Sequence, residues 1–393
     1  MKVLISGAGV AGPTLAYWLL KAGHEPVLIE HAPAFRAGGY VIDFWGLGYE
    51  IACRMGLEAP IRAAGYEVGE VRMVDANGRR RASLDASTFG RMTNGKYVSL
   101  PRGDLARIIY GAVKDRVETR FGDSITAIDE HADGVRVSFV NGATQDFDLV
   151  IGADGLHSTV RRLVFGPEEK FEHEIGYRVA AFEIAGYPKR DELVYMLYSE
   201  PGKQVARFAL RGGKTLVLLV FEAEPGSPAP HDEDAQKAEV RRVFADAGWE
   251  TAEMLKAMAD VPDIYFDNVS QIRMPAWTKG RVALIGDAAA CASLLAGEGT
   301  GLGMTEAYVL AGELAKAGGD YAKAFAQYEK RLRPFIAQKQ KTAENFAPSF
   351  APKTEFGIWL RIMATRLMAI PFFADLFIGA SLKDDLDLPD YGL

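Results

Sequence analysis

Between Ile285 and Met304 the chain reads IGDAAACASLLAGEGTGLGM. One carboxylate, Asp287, is followed by small residues and then by Gly297, Gly299, Gly301 and Gly303 at alternate positions. So little side-chain bulk brings backbone N–H groups within reach of something flat or highly charged. Near the start, GAGVAG sets Gly7, Gly9, Ala11 and Gly12 directly after the apolar run KVLIS, and Glu30 stands 18 residues beyond Gly12. Glycines at these spacings permit a tight turn at Gly7, close approach of a pyrophosphate at Gly9, and close helix–strand packing at Gly12. An acidic residue at the position of Glu30 suits a ribose diol. The chemistry these residues fit is dinucleotide binding, and this first motif does not separate FAD from NAD(P). A third set, DLVIGADGLHSTVRR (Asp148–Arg162), ends an apolar run at Gly152-Ala153-Asp154-Gly155, and Ser158 and Arg161 open a helix after it.

These residues need strands and helices to hold them. KVLIS and PVLIE predict buried strands around a helix through Leu15, Leu19 and Leu20, and DLVIG and RVALIG predict two further strands. The apolar start therefore reads as strand, turn and helix rather than a signal peptide. Between Phe171 and Ile272 the pattern changes to alternation in YRVAAFEIAG, ELVYMLYSE, QVARFALRGG and TLVLLVFEAE, which predicts an antiparallel sheet with one solvated face. Residues of one parity there, among Tyr195, Arg207, Phe208 and Phe221, would line a pocket, and the parity is open. Glu222–Ala235 reads as an exposed loop, with His173 and His231 on the solvated surface. Helices are expected over Thr305–Ala317, Tyr321–Gln340 and Thr354–Leu382, the last with Phe356, Trp359, Ile362, Met363, Leu367 and Ile370 at helical spacing. The organisation expected is α/β, with a discontinuous nucleotide domain (1–72, 97–170 and 273–340), a substrate domain (73–96 and 171–272) and a C-terminal helical segment (341–393).

Bulk properties narrow the function. A chain of 393 residues can bury two or three cores. Its net charge of −7 disfavours nucleic acid or an anionic membrane as partner. Cys53 and Cys291 are too few for a disulfide framework and lack metal-ligand spacing, which suits a reducing, cytoplasmic setting. Arg361, Arg366 and Asp375 interrupt the apolar tail, against a membrane span. No Ser-His-Asp set is evident, no metal site is expected, and no catalytic side chain is assigned.

The three motifs, in this order and spacing, resemble the class A flavoprotein monooxygenases, the para-hydroxybenzoate hydroxylase group. The resemblance covers most of the chain and implies a Rossmann-like FAD-binding domain, an inserted antiparallel-sheet substrate domain and a C-terminal bridging helix. It assigns Gly7, Gly9, Ala11, Gly12 and Glu30 to the dinucleotide turn. Asp154 falls in the motif linked to FAD and NAD(P)H, and Gly286 and Asp287 in the one that contacts the ribityl or ribose part of FAD. Arg102, in LPRGDL, matches an arginine that contacts FAD from a helix start. Gly297, Gly299 and Gly301 would begin a helix against the flavin. RAGGYVIDFWG (Arg36–Gly46) with CRMGL is similar to the tetracycline-inactivating flavin monooxygenases, which implies cofactor roles for Arg36 and Asp43 and an activity in antibiotic resistance. The chain departs from the family pattern at Ala290 (usually His), near Leu294 (Pro), at Glu298 (Gln) and at Gly301 (Asn), which bears on flavin pose and turnover.

The function implied is an FAD-dependent monooxygenase in which non-covalent FAD is reduced by NAD(P)H, O2 adds to the flavin as a C4a-hydroperoxide, and an oxygen atom passes to a bound substrate. No second G-x-G-x-x-G motif is present for a nicotinamide domain, so NAD(P)H would dock transiently. The aromatic and aliphatic tail argues for a bulky, planar, apolar substrate, either aromatic or polyketide- and tetracycline-like, bound by a monomer. The alternatives are a flavin-dependent halogenase or reductase on the same fold, or a flavin- or drug-binding protein with weakened turnover. The W-x-W-x-I-P signature of tryptophan-type halogenases is absent.

Overall fold

The computed structural model describes residues 1–35, 40–224, 226–230, 232–293, 297–370, 372–373 and 384–393. KVLIS forms the strand Lys2–Ser6, central in a six-stranded sheet whose neighbours include Glu25–Glu30 on one side and Leu149–Gly152 on the other. Glu118–Phe121 lies outside Glu25–Glu30, and Val282–Leu284 outside Leu149–Gly152; these five strands pair in parallel. Thr278–Lys279 closes the far edge antiparallel. The strands read as unbroken apolar runs because they are buried between helices such as Ala11–Lys21 and a three-stranded antiparallel sheet of Ile125–His131, Gly134–Phe139 and Thr144–Phe147. Numbered along the chain, the parallel strands run 3-2-1-4-5, the doubly wound order, and the chain reverses direction of winding between Lys2–Ser6 and Leu149–Gly152.

The alternating segments form a second, seven-stranded sheet of Tyr265–Ile272, Glu172–Ala185, Lys214–Glu222, Lys203–Ala209, Val194–Glu200, Glu70–Val74 and Arg80–Asp85, in that spatial order. Its pairs are antiparallel apart from Val194–Glu200 against Glu70–Val74, which is parallel. The structure settles the open parity. Phe221 packs with Phe244 and the helices Glu233–Val243 and Thr251–Met258 on one face, and Arg207 meets Glu250 there. Tyr195, Phe208 and Leu216 face the other way, toward Tyr66.

Two helices differ from expectation. The helix expected to end at Gln340 runs on to Phe350, through Pro334 and Pro348 (Tyr321–Phe350), because Ala343 and Ala347 are buried and the latter packs on the large sheet. A division at residue 340 therefore falls inside one helix. The tail helix spans Glu355–Met368, with Thr354 accepting a hydrogen bond from Gly357 N as its N-cap. It buries Ile358, Ile362 and Thr365, while Phe356, Trp359, Leu367 and Ile370 stand exposed. Apolar residues wrap most of this helix, so spacing alone could not pick the docking face. Among the described residues no helix is long and apolar enough to cross a membrane, and no group of three or more His, Cys, Asp or Glu could hold a metal ion.

Candidate active site

In a doubly wound sheet a ligand crevice opens where the winding reverses, beyond the carboxyl ends of the strands. Here the crevice lies between Gly7, after the first strand, and Ala153, after Leu149–Gly152. The three motif glycines prove to have three separate reasons. Gly7 has φ +105°, and a Cβ on it would collide with the Ala153 carbonyl. A Cβ on Gly12 would collide with Gly7 O. Gly9 has neither constraint: a Cβ there would meet only Arg102 Nη2, at 3.9 Å. The backbone at Gly9 thus borders open space with a guanidinium on its far side.

The carboxylates of the motifs hold the loops in place. Glu30 accepts from Ala8 N and Ala32 N, both at 2.9 Å, and its Oε1 also meets His31 Nδ1 at 2.9 Å, so it pins the glycine turn. Asp154 accepts from Ser158 Oγ (2.5 Å), Val160 N (3.1 Å) and Ser6 Oγ (3.4 Å), tying the helix Thr159–Val164 to the first strand. Burial raises its pKa against these bonds. Arg161, fully buried, donates to Ala288 O at 3.1 Å and to Glu168, which joins this motif to the one around Asp287.

Gly286 has φ +62° and ψ −145°, and its N–H donates to Glu306 Oε2 at 2.5 Å. Asp287 begins a one-turn helix, Asp287–Ala290, and no side chain caps that turn. Ala11, at the start of the helix Ala11–Lys21, is the nearest neighbour of a Cβ built on either Gly286 or Gly303. Opposite stands the start of the helix Gly299–Lys316, which also has no side-chain cap, so its first N–H groups lack partners within the helix. Gly297 has φ +69°, and a Cβ on Gly299 would lie 3.5 Å from Asp287 Oδ1. Gly301 abuts Gly48 on the helix Gly46–Arg54, so its small size also serves packing. Arg36 and Leu294 lie outside the described residues.

Arg102 opens the helix Arg102–Gly111, its N–H bonded to Tyr40 O at 3.0 Å. Burial opposes its charge, but Tyr40, Asp287 and Tyr265 more than compensate and raise its pKa. Burial pushes the Tyr40 hydroxyl up to about 12. The rings of Tyr40 and Tyr265 are 5.6 Å apart and link the nucleotide side to the large sheet.

A polar rung crosses the ribbon of Val41–Trp45 and Tyr97–Pro101, where Asp43 pairs with Ser99. Asp43 Oδ1 accepts from Ser99 Oγ (2.5 Å) and Tyr97 OH (2.6 Å). Burial raises the Asp43 pKa, and these two bonds offset part of the rise. Tyr195, from the large sheet, stacks on Phe208 at 4.4 Å; burial lifts its hydroxyl well above the usual value, and Asp43 adds to the shift. Asp43, Gly297 and Gly301 line one small recess. Tyr97, Ser99 and Glu306 carry no motif in the sequence. Ser99 was discoverable only through strand register, and Glu306 only as an acidic residue within an apolar helix.

A family model described as FAD binding domain matches residues 1–343. A flavin-dependent monooxygenase from an unknown prokaryotic organism is 37% identical over 391 residues, covering 100% of this chain and 99% of the relative. A flavin-dependent monooxygenase of Legionella longbeachae serogroup 1 (strain NSW150) is 36% identical over 364 residues, covering 90% and 91%. Among solved structures, tetracycline destructase Tet(55) superposes with a TM-score of 0.84 at 33% identity, covering 99% of this chain and 98% of that one.

Proposed function

This chain belongs to the class A flavoprotein monooxygenases, FAD-dependent enzymes with the FAD binding domain, and from that premise we propose that it uses NAD(P)H and O2 to hydroxylate a bulky, planar small molecule of the aromatic, polyketide or tetracycline type. The residues present fit the cofactor. Gly9 is bare where neither packing nor backbone geometry requires glycine, and Arg102 stands across from it. Asp287 caps no helix, and the helix at Gly299 starts without a side-chain cap.

In this reading Gly7, Gly9, Ala11 and Gly12 receive the pyrophosphate, Glu30 the ribose and Asp287 the ribityl hydroxyls, with Arg102 adding positive charge. Arg36 and Asp154 belong to the same proposed site, Asp154 acting chiefly by holding its loop. The N–H groups at Gly299–Gly301 would stabilise negative charge on the ring edge. FAD held by these residues would supply the redox chemistry that couples NAD(P)H and O2 to insertion of one oxygen atom into the substrate. Asp43, whose Oδ1 is held by Tyr97 and Ser99, would contact the cofactor in the same site. Tyr195 supports the substrate reading: its half-buried ring, backed by the buried Phe208, stands beside the Asp43 rung, and aromatic surface there suits a planar, oxygenated ring system. The Tet(55) likeness supports trying tetracyclines first.

The test is turnover under labelled O2 with NADH or NADPH and a panel of planar phenols, polyketides and tetracyclines. One labelled oxygen atom in a product, with faster NAD(P)H oxidation, is expected. A protein reconstituted with FAD that yields no oxygenated product across the panel overturns the substrate class.

A further inference from the structure

The ten residues after the tail helix segment, 384–393, return to the nucleotide side of the molecule. Asp384 Oδ2 accepts from Leu47 N at 2.8 Å, across 337 positions of sequence. This caps the helix Gly46–Arg54, which has no side-chain cap of its own at Trp45. The approach needs glycine at position 46, where φ is +65° and a Cβ would collide with the Asp384 carboxylate. Further along, Pro389 O accepts from Tyr308 OH (2.8 Å) and Arg54 Nη1 (3.2 Å). The Tyr391 ring occupies the place of a Cβ on Gly312, and its hydroxyl donates to Glu313 at 2.7 Å. The strap is therefore keyed into the fold at two glycines.

Lys339, on the long helix Tyr321–Phe350, is 8% exposed. Its ammonium meets Asp384 Oδ1 at 2.7 Å and Glu298 Oε2 at 2.9 Å. Glu298 is the residue from which the helix Gly299–Lys316 starts. It is also where the chain departs from the family's usual Gln, and Lys339 neutralises the added charge. Asp43, Trp45, Gly297, Glu298, Gly301 and Asp384 line one recess of about 20 Å³. One cation thus joins the strap to the glycine run on the wall of the proposed flavin site.

We propose that Lys339 is a positioning residue of the flavin site: by bridging Glu298 and Asp384 it clamps the Gly297–Gly303 run to the C-terminal strap and so sets the wall of the proposed site. This rests on the FAD reading of that run. Without the ammonium, two mostly buried carboxylates would face each other and separate.

The test uses the full chain with Lys339→Met, Lys339→Arg, Asp384→Asn and Glu298→Gln. The readouts are FAD affinity, the visible spectrum of bound FAD, peroxide released per NAD(P)H consumed, and hydrogen exchange of the Leu47 amide in the apo-protein. Lys339→Met is expected to weaken FAD binding about tenfold, shift the flavin spectrum, raise peroxide release and speed Leu47 exchange. Asp384→Asn should move each readout the same way by less, and Lys339→Arg should restore most of the loss. Wild-type affinity, spectrum and coupling in Lys339→Met overturn the proposal. Should that variant fail to fold, the same wild-type values in both Asp384→Asn and Glu298→Gln overturn it. A wild-type protein that takes up no FAD overturns the flavin reading itself, and the positioning role with it.

Discussion

At the scale of residues, glycine shows how the protein's needs separate from a ligand's. Gly12 is required by the Gly7 carbonyl and Gly7 by its own φ, so both are explained within the fold. Gly9 is not, and a side chain there would project into space bounded by Arg102. Gly9→Val should therefore leave the apo-protein's Tm within about 2 °C of wild type, since it touches no packed neighbour, yet abolish FAD retention. Gly12→Ala should lower the apo Tm by several degrees through overpacking. Thermal melts of both apo-proteins, with FAD titrations, check the pair; a large apo Tm loss in Gly9→Val would make position 9 a packing site. The glycine turns were legible in the sequence because turns and close approaches leave local spacing. The partners of the carboxylates were not. Glu30 and Asp154 spend much of their capacity on backbone and hydroxyl donors of their own loops, which type and spacing do not reveal.

At the scale of elements, strands with clear periodicity were readable and helix ends were not. Tyr321–Phe350 outruns its expected end because tertiary burial of Ala343 and Ala347 outweighs Pro348. Its C-terminus is satisfied from the next helix: Arg361 donates to Phe350 O (2.7 Å), Ser349 O (3.1 Å), Gln204 Oε1 (2.7 Å) and Ser199 Oγ. Burial lowers the Arg361 pKa to about 10. Its charge is answered by carbonyls at the negative end of a helix dipole. Arg361→Met leaves those acceptors without a donor, at a cost of about 2–4 kcal/mol. The expected result is a Tm lower by about 2–5 °C, with faster proteolysis of the tail helix. Lys should rescue little, because one ammonium cannot span the guanidinium's fork. Equal melting of Arg361→Met and wild type would leave the tail helix held by its other contacts, the burial of Ile358 and Ile362 and the bond from Arg366 to Arg81 O.

At the scale of the whole molecule, two sheets with different pairing logic are joined by contacts remote in sequence, and those were the least legible. The parallel pairing of Val194–Glu200 with Glu70–Val74 and the return of Asp384 to Leu47 leave no local pattern. Glu306 is the clearest case of a buried group whose cost the whole fold carries. It is fully buried, bonded through Oε2 to Gly286 N and Tyr328 OH, and its Oε1 has no hydrogen-bond partner among the described residues. Burial raises its pKa from 4.5 to about 8. Between those two values the folded protein holds a proton that the unfolded chain has released. This contribution to stability is therefore full below about pH 4.5, falls as pH rises through the window, and is gone above about pH 8. Glu306→Gln keeps an oxygen to accept from Gly286 and removes the titration. Wild-type apo-protein should lose Tm between pH 5 and pH 8.5 more steeply than the variant, and the two curves should converge or cross toward high pH, where wild type must hold a carboxylate in an apolar setting. Asp43 and Asp154 also have raised pKa values, but both proteins keep them, so the difference between the curves isolates Glu306. Parallel curves across that range would mean that Glu306 stays ionised in the fold.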